Sequence, residues 1–114
     1  MINRENFKPR RFLKKESFTI PELNGKVLVR ELSAGELVQL RGKGAVGPEE
    51  SFWICVHAIL DEDGAQMFPI DTPEEVENSI KVFRDTLSLG TVDAMAATCL
   101  KLTGAMGDST EPKK

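Results

Sequence analysis

Catalytic chemistry has little to work with in this chain. There is one histidine, no tyrosine, one tryptophan and two cysteines in 114 residues. A lone His57 excludes a multi-histidine metal centre, and two cysteines fall short of a four-thiolate zinc site or a disulfide framework. Cys55 and His57 do not make a nucleophile–base pair, because positions i and i+2 point about 200° apart on a helix. Both cysteines lie in apolar helical patterns, where a reduced thiol acts as a small hydrophobe. Long apolar runs are missing too. The most apolar stretch, Phe52 to Leu60, is far short of the ~20 residues a membrane helix needs. The first residues lack the apolar block of a secretory signal, so the cytoplasm is the expected compartment.

Motifs that would restore a chemical reading fail on spacing. Gly42-Lys43 is followed by Gly44 rather than Ser or Thr, and a helix rather than a strand precedes it, so no phosphate loop is formed. Asp61-x-Asp63-Gly64 places its glycine too early for a calcium loop. No nucleophile elbow, zinc-protease or dinucleotide fingerprint occurs. The sequence therefore predicts a protein that is not an enzyme and uses no cofactor.

What is present is a folding pattern. Phe18 and Ile20 alternate with polar residues, Asn24-Gly25 suits a tight turn, and Val27 and Val29 alternate with Lys26, Leu28 and Arg30. Ser33 and Glu36 form a capping box that opens a short first helix ending at Gly42. Pro48 opens a second, running to Leu60, in which Phe52, Val56, Ile59 and Leu60 make a buried stripe and Trp53 sits one turn from His57. Asp61–Gly64 is a turn, and Met67, Phe68 and Ile70 are extended. Thr72-Pro73-Glu74-Glu75 is a second capping box. Its helix carries Val76, Ile80, Phe83 and Leu87 as one seam. A break at Gly90 or Thr91 precedes a fourth helix from Val92 to about Thr103, with Gly104 after it. The expected fold is mainly α: a small N-terminal β-hairpin followed by about four short helices packed as an irregular bundle. Residues 17–104 make the domain, between a flexible basic arm (1–16) and a disordered tail (105–114).

Charge is divided unevenly. Residues 1–16 hold six cations and two anions, a net +4, whereas residues 61–77 hold seven acids and no lysine or arginine. Such a split suits two partner-facing surfaces or head-to-tail homo-oligomers; solvated, unpartnered charge is the other reading.

The order of these blocks resembles the tail assembly chaperones of long-tailed bacteriophages and prophages. The stretch Ile20-Pro-Glu-Leu-Asn-Gly-Lys-Val-Leu-Val-Arg-Glu-Leu-Ser-Ala-Gly-Glu36 is similar to their opening strand, turn, strand and capped helix. Cys55-Val-His-Ala-Ile-Leu-Asp-Glu-Asp-Gly-Ala-Gln-Met-Phe68 is similar to their apolar helix and acidic turn, and Leu100-Lys-Leu-Thr-Gly104 to the end of their last helix. The glycine-rich loop 42–47 and Gly90 depart from the pattern. The resemblance covers residues 17–104 and implies a non-catalytic protein acting in the host cytoplasm during tail assembly and absent from the mature virion. Its implied partners are the tape measure protein and the major tail tube protein.

On that reading the apolar contact comes from Phe52, Trp53 and Val56, or from the seam Val76, Ile80 and Phe83, with Trp53 expected to be partly exposed. Charges at Arg10, Arg11 or Glu74–Glu77 would set orientation. The same stripes also read as the protein's own core. Two other classes stay open: a small nucleic-acid-binding regulator, in which Phe7 and Phe12 stack while Arg10 and Arg11 meet phosphate, and a structural head–tail component of the virion.

Overall fold

The computed structural model describes residues 1–9, 13–43 and 48–104. The readings placed on Arg10, Arg11 and Phe12, on the loop 44–47 and on the tail 105–114 lie outside the described residues.

Strands β1 (Lys15–Ile20) and β2 (Gly25–Arg30) pair antiparallel, from Lys15 opposite Arg30 to Ile20 opposite Gly25. The connection is a single 3-10 turn, Pro21–Leu23, closed by Asn24 in the left-handed region at φ 52°. Asn24, not Gly25, is thus the residue of positive φ; asparagine tolerates that region better than other side chains. Gly25 is the first residue of β2.

Helix α1 (Ala34–Lys43) begins as expected: Glu36 N donates to Ser33 Oγ (3.2 Å), and Ser33 N donates to Glu36 Oε1 (2.9 Å). Helix α2 (Pro48–Ala58) ends two residues earlier than its apolar pattern suggests. Ile59–Leu60 instead form a short strand, β3, paired with Leu28 and Val29, which makes β2 the middle of a three-stranded antiparallel sheet. The helix can stop there because Gln66 caps it: Nε2 donates to His57 O (2.8 Å) and Val56 O (3.3 Å), two of the carbonyls a helix end leaves orphaned. Between them, Asp61–Gly64 turns with Gly64 at φ 82° while Asp61 Oδ1 accepts from the amides of Asp63 and Ala65.

Helix α3 (Pro73–Thr86) opens on the predicted box: Glu75 N donates to Thr72 Oγ1 (3.1 Å), and Glu75 Oε1 accepts from Thr72 N (3.2 Å). Helix α4 (Leu89–Thr103) starts three residues before Val92, so Gly90 lies inside its first turn instead of breaking the chain. Ser88 caps it, its Oγ accepting from Thr91 N (3.3 Å), and Gly104 ends it at φ 79°. The architecture is mainly α with a small hairpin-based sheet, as expected.

Every residue from Phe52 to Leu60 is buried, which makes α2 the spine of the core. It packs against both α3 and α4, and α4 in turn touches β1 and β2. An apolar helix walled on several sides needs no polar face, so its pattern shows little amphipathicity. Cys55 and Cys99 are free and buried in this core. Cys55 Sγ donates to Val92 O (3.2 Å), and burial pushes the Cys99 thiol up to about 12.

Candidate functional site

Six residues carried the sequence's contact hypothesis within the described part of the chain, and the structure divides them. Phe52, Val56, Ile80 and Phe83 are buried, and Val76 is half-buried. Trp53, expected to be partly exposed, is only 6% exposed. Its indole is covered by the His57 ring, stacked at 3.8 Å with 26° between planes. His57 Nδ1 donates to Trp53 O at 2.7 Å, which holds the imidazole in that position. Phe83 meets Phe68 edge-on at 5.3 Å, so Phe68 packs on the core while its neighbour Met67 is exposed.

Three of the six, Trp53, Val76 and Ile80, nonetheless come together along one concavity. It is a groove of about 460 Å³ between α2 and the start of α3. Its floor is made by Trp53, His57, Ile70, Val76 and Ile80. Its exposed rim carries Glu49, Asp71 and Glu77, together with Gln39, Thr72 and Pro73. Helix periodicity explains the selection: Val76 and Ile80 are one turn apart on α3, as Trp53 and His57 are on α2, so two i, i+4 pairs face each other. Phe52, Val56 and Phe83 fall outside the groove lining and serve the core. Phe52 is shielded by Arg84, whose guanidinium lies 5.7 Å over its ring.

The strongest electrostatic feature lies elsewhere and the sequence did not announce it. Arg30 is 1% exposed, although strand alternation placed it outward. Its Nη1 and Nη2 donate to Glu36 Oε1 (2.7 Å) and Oε2 (2.8 Å), a bidentate pair. Nη1 also reaches Glu31 O (2.9 Å) and Nη2 reaches Gln66 Oε1 (3.3 Å), while Nε is buried with no partner among the described residues. Burial raises the Glu36 pKa, but the bonds from Arg30 and from Ser33 N outweigh it and bring the carboxyl down to about 2. One carboxylate thus caps α1 and neutralises the buried arginine, which through Gln66 steadies the end of α2. The network is a structural clamp. It offers no vacant acid or base to a substrate.

A second clamp joins distant parts of the chain. Glu22, in the hairpin turn, accepts from Ser88 N (2.6 Å) and from Thr91 Oγ1 (2.8 Å) at the start of α4. The bond from Ser88 N is the main cause of its pKa falling to about 2. A carboxylate at a helix N-terminus is favourably placed against the dipole. Glu22→Gln should therefore speed hydrogen exchange at the Ser88 amide while leaving the α2 amides unchanged, as read by NMR.

Among the described residues no group of three His, Cys, Asp or Glu side chains is placed to hold a metal ion, and no helix is long and apolar enough to cross a membrane. Comparison with family models, with curated proteins and with solved structures finds no match to this chain.

Proposed function

We propose that the protein is a non-catalytic tail assembly chaperone that holds an apolar helical segment of the tape measure protein, and engages the tail tube subunit, before the tail closes. The observation that supports this most is the groove, whose floor sets Trp53, Val76 and Ile80 beside His57 inside an acidic rim. A helix laid in such a groove buries one stripe of side chains, while rim charges fix its direction. Long coiled-coil clients expose such stripes before assembly and aggregate through them. The site of action on this reading is the host cytoplasm, and the finished virion does not contain the protein.

Co-expression with the tape measure protein tests the reading. The wild-type chain should raise the client's soluble fraction several-fold, and Val76→Lys, which places a charge in the groove, should remove most of that gain. A client equally soluble with and without the chain would refute it. Mass spectrometry of purified particles separates it from a structural head–tail role, for which the protein would be stoichiometric.

A further inference from the structure

The groove's rim and the start of the chain carry opposite charge. Among the described residues no lysine or arginine lines the groove; Glu49, Asp71 and Glu77 edge it, and Glu49 Oε2 lies 3.8 Å from Arg84 Nη2. Glu49 sits in the first turn of α2 and Asp71 just ahead of the α3 cap Thr72, where the dipole favours an acid; Glu77 lies beyond the first turn of α3. Ahead of β1 lie Arg4 and Lys8, with one acid, Glu5, between them, and Ile2 and Phe7 are each 77% exposed. This arm has a built turn in it. Asn3 and Asn6 exchange side-chain bonds with each other's ends of the 3-10 turn Arg4–Asn6, which presents Phe7 directly after it.

We infer that the groove receives the N-terminal arm of a second copy of this chain, with Phe7 or Ile2 on the floor and Arg4 and Lys8 against the acidic rim. The arm's own groove is not its seat: none of residues 1–9 lines it. Pro9 instead lies beside the Asp63–Gly64 turn of its own chain. Arm and groove are different surfaces, so the contact is heterologous and repeats from copy to copy as a ring or an open chain. A client helix and a neighbouring arm then compete for one floor, and copies leave the client as the groove refills. The self-contact goes beyond the chaperone reading and does not depend on it.

Sedimentation velocity of the full chain over a range of concentrations tests this without any client. The wild type should self-associate as concentration rises. Because rim charges are screened by salt, the association should weaken about tenfold between low salt and roughly 0.5 M. Arg4→Glu/Lys8→Glu and Asp71→Lys/Glu77→Lys, all at exposed positions, should each be monomeric alone. Mixed together they should associate again, because every arm then meets a groove of opposite sign. A wild type that stays monomeric, association that survives in either variant alone, or a mixture that remains monomeric would each overturn the proposal. Far-UV circular dichroism of each variant confirms that the fold is intact.

Discussion

Replacing Glu36 with leucine should destabilise the protein by about 3–5 kcal/mol, the cost of leaving one partner of a buried pair behind. Arg30 would keep its burial and lose its bidentate acceptor, and the Ser33 amide would lose its cap. The double replacement Arg30→Met/Glu36→Leu should be more stable than Glu36→Leu alone, because no bare charge is then trapped in the core. Urea titration of the three proteins measures both effects. A loss below about 1 kcal/mol in the single variant would mean that Arg30 finds water or another acceptor.

The same pair gives the fold an acid limb. The Glu36 carboxyl sits at about 2 in the folded chain against an ordinary value of 4.5. Its lowered pKa contributes stability fully above the ordinary value, and that contribution is lost as pH falls from about 4.5 towards 2. Glu22 titrates in the same window. Comparing Glu36→Leu with Glu22→Gln therefore apportions the acid loss between the two clamps.

Phe83→Ala should cost about 3–5 kcal/mol, since a buried ring is removed from a packed core that relaxes only in part. Phe83 is 2% exposed and its edge-on partner Phe68 would face the cavity. Val76, two seam positions nearer the start of α3, is half-buried and lines the groove, so Val76→Lys should cost about 1 kcal/mol. The contrast matters for function. Variants at Phe52, Val56 and Phe83 report on folding, whereas on the proposed function the groove positions report on binding.

Much of this architecture was legible because its signals are local. Both capping boxes, the Gly64 turn, the Trp53–His57 neighbourhood and the buried stripes follow from spacings of three or four residues. The errors share a different cause. β3 is two residues long, too short for any periodicity to separate it from the apolar helix it follows. Gly90 reads as a break until Ser88 is seen to cap α4 with Glu22 reinforcing it, an interaction between residues 66 apart. Arg30 reads as outward because alternation assumes one wet face. β2 is the central strand, and its second face is closed over Arg30 by Glu36 and Gln66. Trp53 reads as partly exposed on the resemblance, and the imidazole stacked on it puts it inside. The groove is half visible: three of its five floor residues are contact candidates in the sequence, but the helix–helix geometry that selects Trp53, Val76 and Ile80 over Phe52, Val56 and Phe83, and adds His57 and Ile70, is tertiary.

The central claim, that the Trp53–Val76–Ile80 groove grips an apolar helix of an unassembled tail protein, is tested most directly by NMR. The full-length chain would be titrated with a synthetic amphipathic helix taken from the tape measure protein. Shift changes should concentrate on the Trp53 indole and the amides of Val76, Glu77 and Ile80, and vanish in Val76→Lys. Changes centred instead on exposed Val38 or Val82, or no changes at all, would contradict it.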